Sequence, residues 1–302
     1  MKRLLTALIT LAAPGILHAQ LSVSMKLERT NFVKHESIVA VVSIRNLAGK
    51  DVVLGGPGEL GWLQIDLQRS DGTTLLPAAG APKAESTVIK DGTTLTRRIN
   101  LTNFFLLTDP GTYLVNCQVY FPPLQRWLGA EHKSVFRVST PRPAFWERTV
   151  GIPASHPSAG RYRHYKLFTG KTSTVTPGGN SDVQYIYLSL TDEETGDNIT
   201  TFPLGELLSY RDPQATTDRN GNICVLYMTA PQLFQYVVLD VDGAIIEEKA
   251  YKGVANSSPQ LMQSQSGTVA VRGGVIFDRI AESDSQREQK KNLRSLSDRP
   301  NP

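Results

Sequence analysis

Beyond residue 20 the chain carries four histidines, His35, His132, His156 and His164. They are the side chains from which acid–base or metal chemistry at neutral pH would first be built. His156 and His164 share a stretch with Pro153, Pro157 and Gly160, which reads as a loop. A metal there would need a further donor, and none is close in sequence. Carboxylate pairs of the kind a glycosidase uses occur at Asp192-Glu193-Glu194 and Glu247-Glu248. The first precedes Thr195-Gly196 in an expected turn. The second lies along an expected strand, where neighbouring side chains face opposite ways. Asp218-Arg219-Asn220-Gly221-Asn222 places oxygen donors at alternate positions, as a calcium loop does. Its glycine is fourth rather than sixth and no glutamate closes it, so a hairpin turn accounts for it. G-x-S-x-G, H-E-x-x-H, the P-loop and G-x-G-x-x-G after a strand are all absent. The expectation is no catalytic residue, no cofactor and no metal. The alternative is a secreted hydrolase or peptidase inhibitor whose site is assembled from sequence-distant residues.

Positioning elements follow from composition and periodicity. The 302 residues are 40% hydrophobic and 20% charged, enough for two ordinary domains with real cores. Lys2 and Arg3, the apolar run Leu4 to Ala13, the Pro14-Gly15 break and Leu17-His18-Ala19 read as a signal peptide over 1–19, cut after Ala19. The expected location is periplasmic or secreted. Losing Lys2 and Arg3 lowers the formal charge from +4 to +2, with cations scattered, so nucleic acid is not an expected partner. The mature chain has no expected membrane span. Cys117 and Cys224 fall in different expected domains, and buried, unpaired thiols are the favoured reading over a bridge.

In the first half, Tyr113, Val115, Cys117 and Val119 alternate with Leu114, Asn116, Gln118 and Tyr120. That is a strand with one buried face. Asp109-Pro110-Gly111 before it is turn chemistry, and Tyr113 is placed to return its hydroxyl to the upstream backbone. Leu21 to Glu28, Glu36 to Asn46, Trp62 to Gln68, Thr94 to Leu101 and Ser134 to Ser139 supply further strands. Glu36-Ser37-Ile38-Val39-Ala40-Val41-Val42-Ser43-Ile44-Arg45-Asn46 and Asp109-Pro110-Gly111-Thr112-Tyr113 resemble the immunoglobulin-like and fibronectin-like sandwiches of secreted bacterial proteins. The resemblance implies a Greek-key β-sandwich over 20–140 and a tyrosine corner of Tyr113, Asp109 and Gly111. It implies no inter-sheet disulfide, because Val115 stands where antibody domains carry a cysteine.

A connector is expected at 141–160, where Pro141 and Pro143 favour extended chain. A second antiparallel β domain is expected over 161–280, with one short helix over Leu204–Tyr210. Its paired units, Asp218-x-x-Gly221 and Asp240-x-x-Gly243 leading into strands, resemble β-propeller hairpins. From 281 to 302 the composition is that of a disordered tail. One segment stands apart: Tyr120, Phe121, Leu124, Arg126 and Trp127 make an aromatic stretch where polar turn residues are usual. It reads as a recognition loop or an interdomain brace. The all-β chain is thus expected to be an exported accessory or binding protein of the cell envelope, with a protein or glycan partner.

Overall fold

The computed structural model describes residues 21–55, 61–78, 85–176, 179–255 and 257–278. The expected leader at 1–19 and tail at 281–302 lie outside the described residues. The protein is all-β, with sheets antiparallel except at one strand pair and no α-helix among the described residues. No helix among those residues is long and apolar enough to cross a membrane. The chain separates into two compact units. Among the described residues, one draws on 21–28, 39–100 and 114–135, and the other on 29–38, 101–113 and 136–278.

The first eleven strands are β1 (Leu21–Leu27), β2 (Asn31–Val33), β3 (Val39–Asn46), β4 (Val52–Leu54), β5 (Leu63–Arg69), β6 (Thr74–Leu75), β7 (Thr87–Ile89), β8 (Thr94–Asn100), β9 (Gly111–Phe121), β10 (Arg126–Gly129) and β11 (Ser134–Ser139). One sheet has the order β1-β3-β8 and another the order β2-β11-β9-β5-β6, with β10 also paired to β9. β2 runs parallel to β11, through Asn31↔Arg137 to Val33↔Ser139. Period-two alternation builds both sheets: Ala40, Val42 and Ile44 of β3 are buried, as are Tyr113, Val115, Cys117, Val119 and Phe121 of β9. Such one-sided sheets fit a β-sandwich. β3 stops at Asn46, whose buried amide donates to the Lys50 and Ile89 carbonyls at 2.8 and 2.9 Å. Its Oδ1 accepts from the Ala48 N–H at 2.9 Å. One asparagine thereby closes three backbone groups that the end of the ladder leaves open.

The later strands are β12 (Trp146–Gly151), β13 (Tyr162–Thr176), β14 (Gly179–Asp192), β15 (Asn198–Glu206), β16 (Gln214–Thr217), β17 (Ile223–Ala230), β18 (Leu233–Leu239), β19 (Ile245–Lys252), β20 (Gln260–Gln263), β21 (Val269–Arg272) and β22 (Val275–Ile276). They form sheets β12-β13-β14-β15 and β16-β17-β18-β19-β22 and the hairpin β20-β21. Tyr165, Leu167, Ile186, Leu188, Leu190 and Leu204 of the first sheet share one core with Ile223, Val225, Tyr227, Val237 and Leu239 of the second. The opposite face of the second sheet buries Cys224, Leu226, Phe234, Tyr236 and Val238 against Leu261, Val269 and Val271 of the hairpin. β17 and β18 are apolar on both faces because each face meets another layer.

Two expectations change here. β12 lies inside the stretch expected as connector, and its six residues pair with β13 from Trp146↔Leu167 to Gly151↔Tyr162. The prolines bound this strand without interrupting it. The helix expected over Leu204–Tyr210 is absent: β15 continues to Glu206, with Phe202 opposite Leu188 and Pro203 opposite Tyr187 on β14. A helix would spend the Leu204 carbonyl four residues on, whereas here it accepts the buried Tyr227 hydroxyl at 2.9 Å. Tertiary packing overrides local preference in this segment.

Candidate functional site

Three hairpin turns of one design recur along the second half. Asp218, Asp240 and Ser264 each donate their N–H to the carbonyl four residues on, at 2.9 Å, in Asn222, Ala244 and Thr268. In each, the glycine three residues on (Gly221, Gly243 or Gly267) donates back to the first carbonyl. The Asp218 and Asp240 carboxylates clamp their turns through Oδ1: Asp218 accepts from the N–H groups of Asn220 and Asn222 at 2.8 and 2.9 Å, Asp240 from Asp242 and Ala244 at 3.0 and 2.8 Å. Gly221 and Gly243 both have φ +82°, which explains the glycine at the fourth place.

Two of these turns wall a cleft of about 780 Å³ with β12 and the loop after it. Arg148 to Gly151 form one side, Pro153 to Pro157 contribute Ser155 and His156, and Thr217 to Asn222 with Asp240 and Val241 form the other. A methyl group on Gly221 would approach Val150 Cγ1 to 3.1 Å, so this turn sits directly against the β12 edge.

The charges in the cleft are unequally satisfied. Asp218 spends Oδ1 on the turn and Oδ2 on the Asn222 amide at 2.9 Å. Among the described residues, Arg148 and Arg219 have no carboxylate within ion-pair distance, although both line the cleft. His156 has both ring nitrogens engaged: Nε2 lies 2.8 Å from Asp242 Oδ2, and Nδ1 accepts the Ser158 N–H at 3.1 Å. Nδ1 is therefore unprotonated and Nε2 carries the proton toward Asp242. No lone pair remains to deprotonate a nucleophile. Behind the cleft, the Tyr165 hydroxyl donates to the Val241 carbonyl at 2.9 Å, and burial raises its pKa above that of an ordinary phenol. Among the described residues no group of three or more His, Cys, Asp or Glu is placed to hold a metal.

The residues singled out from sequence lie elsewhere. The Tyr113 hydroxyl donates to the Asp109 carbonyl at 2.6 Å, and its ring stacks on Phe136 with centroids 5.4 Å apart. Gly111 opens β9. Tyr120 to Leu128 is a hairpin rather than a loop. β10 pairs with β9 through Arg126↔Phe121 and Trp127↔Tyr120, around a 3-10 turn at Pro122–Leu124 whose end residue, Gln125, has φ +49°. The strand alternation sends Phe121 fully inward, while Tyr120 and Trp127 meet edge to face with centroids 5.4 Å apart. Arg126 and Leu124 are exposed. Cys117 and Cys224 are both free and buried, and burial raises the Cys117 thiol to about 11, with Asp66 adding to the shift.

Sequence reasoning set the cleft residues aside one by one. From sequence alone His156 lies in a loop and Asp218–Asn222 reads as a hairpin turn. The signal that could have joined them is the repeat of the Asp-x-x-Gly turn 22 residues on, from Asp218 to Asp240, since turns repeated along stacked sheets gather at one end.

No protein-family model matches the chain, and no curated protein matches it. Among solved structures, Spo0M, a sporulation control protein from Bacillus subtilis, aligns with 62% of this chain and 91% of its own length, at 8% identity and a TM-score of 0.27. The periplasmic chaperone SfaE aligns with 77% of this chain and 100% of its own, at 13% identity and a TM-score of 0.22. Neither likeness is close enough to carry an argument.

Proposed function

We propose that this chain is an exported, non-catalytic binding protein of the cell envelope whose cleft between β12 and the Asp218 and Asp240 turns receives a protein partner. The observation that carries the reading is His156. It is the one imidazole lining the cleft among the described residues, and its two nitrogens are consumed by Asp242 and by a backbone N–H. A cleft with a locked histidine and unpaired arginines is equipped to hold charge rather than to move protons. Export rests on the leader-like sequence at 1–19. The immunoglobulin-like reading of the first half is supported by the strand orders β1-β3-β8 and β2-β11-β9-β5-β6 with their parallel β2–β11 pair. The resemblance of the second half to propeller hairpins is supported by its repeated turns and by a four-stranded and a five-stranded antiparallel sheet that share a core.

A photo-cross-linker at Asn220, on the exposed turn tip, tests the site. The expected result is a discrete adduct with an envelope protein, suppressed in an Arg148→Glu/Arg219→Glu variant. Hydrolysis of chromogenic esters, glycosides or phosphates that disappears in His156→Ala would overturn the non-catalytic reading.

A further inference from the structure

β12 is an outer strand of its sheet, with β13 on one side and the cleft on the other. The ladder fixes which backbone groups face outward. Ile152 donates to the Arg161 carbonyl at 2.9 Å, and on the far side of β13 Glu193 donates to the Tyr162 carbonyl at 3.1 Å. Antiparallel pairing alternates, so the N–H and C=O groups of Trp146, Arg148 and Val150 point to β13. Those of Glu147, Thr149 and Gly151 point away. Thr149 and Gly151 line the cleft and are exposed; no described residue bonds the outward backbone groups of Thr149, while the Gly221 turn stands over the Gly151 carbonyl.

The side chains divide the same way. Trp146 and Val150 are half-buried against the shared core, and Arg148 stands between them on that face. Arg219 faces the cleft from the opposite wall. On the other β12 face, Thr149 Oγ1 lies 2.9 Å from His164 Nδ1, and Glu147 lies 3.6 Å from His164 and 4.0 Å from Lys166. That face is internally neutralised; the Arg148 face is not. An exposed edge of this kind is a template for an added strand.

We infer that the cleft binds an extended segment of a partner protein as an added strand on β12. The segment's backbone bonds the outward groups of Glu147 and Thr149, and acidic side chains at alternate positions meet Arg148 and Arg219. This rests on the binding reading above and names its ligand. Backbone pairing supplies affinity without regard to sequence, and the two arginines select for acidic side chains on one face of the guest.

The probe is the labelled peptide acetyl-Val-Glu-Val-Glu-Val-Glu-amide, matched in length to the six residues of β12, with a Val-Lys counterpart, measured by fluorescence anisotropy on the full chain. The acidic peptide is expected to saturate and the basic one to bind at least about tenfold more weakly. Thr149→Pro removes the outward N–H, which edge strands tolerate, together with the exposed hydroxyl, so it should weaken binding by about tenfold with the melting temperature kept. Thr149→Val, which loses the hydroxyl but keeps the N–H, should bind as the wild type does. A peptide N-methylated at its ladder positions should fail on the wild type, a check that does not depend on any variant folding. Three results would overturn the inference. The acidic peptide could fail to saturate. The N-methylated peptide and Thr149→Pro could bind normally while Arg148→Glu/Arg219→Glu does not, which leaves a binding cleft without strand addition. The chain could instead self-associate through β12 in sedimentation, undisplaced by peptide, which assigns the edge to a second copy. Indifference of all variants to the probe, together with no Asn220 adduct, would sink the binding reading itself.

Discussion

Two ionic centres of this molecule bury a carboxylate beside arginine, yet they push that carboxylate in opposite directions. Glu36 sits beside Arg29, with the Val33 N–H at 2.9 Å on its other oxygen. Arg29 also donates to the Tyr187 hydroxyl at 3.1 Å and lies over the Phe32 ring, 5.1 Å from its centroid. Asp192 sits between Arg163 at 2.5 Å and Arg161 at 2.7 Å, and its other oxygen accepts the N–H groups of Glu194 and Thr195 at 3.1 and 3.2 Å. Burial opposes ionisation in both. At Glu36 burial prevails over Arg29 and the Val33 N–H, and the carboxyl pKa lies above that of an ordinary glutamate. At Asp192 the turn N–H groups and two guanidinium groups outweigh it, and the carboxyl lies below the ordinary aspartate range. The balance between burial and the number of donors, rather than the presence of an arginine, sets the sign. Burial also pushes the Tyr187 hydroxyl beside Arg29 up to about 12, with Glu36 adding to it. Its ring presses against β13 where Gly170 leaves room: a methyl there would stand 2.7 Å from Tyr187 Cε2.

The largest test of this contrast is Arg29→Ala. It strands the Glu36 carboxylate, whose side chain is 1% exposed, with one backbone donor. The expected loss is about 3–5 kcal/mol in urea unfolding, the usual consequence of leaving a buried charge unpaired. A loss under about 1 kcal/mol, within the range of surface ion pairs, would show that Arg29 and Glu36 are not coupled.

Acid titration separates the two carboxylates by sign. The depressed Asp192 contributes stability that is complete above the ordinary aspartate range and is lost as pH falls below it, through the lowered folded value. The raised Glu36 works the other way: burying its charge costs stability at neutral pH, and protonation relieves that cost as pH falls through its raised value. Asp192→Asn should therefore flatten the acid limb of the stability curve, and Glu36→Gln should steepen it. Urea midpoints followed from neutral pH into the carboxylate range read both slopes. Parallel slopes in the two variants would remove the distinction.

A neutral hydrogen bond gives the baseline. Tyr113→Phe removes the 2.6 Å bond to Asp109 and leaves the ring on Phe136, so about 1 kcal/mol should be lost. A loss matching Arg29→Ala would mean that packing near Phe136, not charge, dominates the comparison.

Much of the strand pattern was legible because period two is written into the residues. The buried series of β9 from Tyr113 to Phe121 follows the sequence alternation residue by residue. Turn glycines at Gly221 and Gly243 were legible too, since their backbone needs a positive φ. β12 was not legible: Trp146-Glu147-Arg148-Thr149-Val150-Gly151 is polar in its middle because Glu147, Arg148 and Thr149 are all exposed, and only Trp146 and Val150 pack on the core. Leu204 to Glu206 read as helix because nothing local announces the Tyr227 hydroxyl that claims the Leu204 carbonyl. The aromatic segment at Tyr120 to Trp127 drew attention through composition, yet strand pairing with its own neighbour accounts for its form.

By itself the sequence determined the all-β class, the position of most strands and the chemistry of each turn, because these depend on neighbours one to four residues away. Tertiary structure alone decided which partners the charges find. Arg163 reaches Asp192 across 29 residues, His156 reaches Asp242 across 86, and Arg29 reaches Tyr187 across 158. It likewise decided that, among the described residues, β12 pairs with a strand on one side only and that Arg148 and Arg219 line the same cleft. An electrostatic interaction falls off with distance in space and is indifferent to distance along the chain, so the cleft exists only once the sheets have stacked.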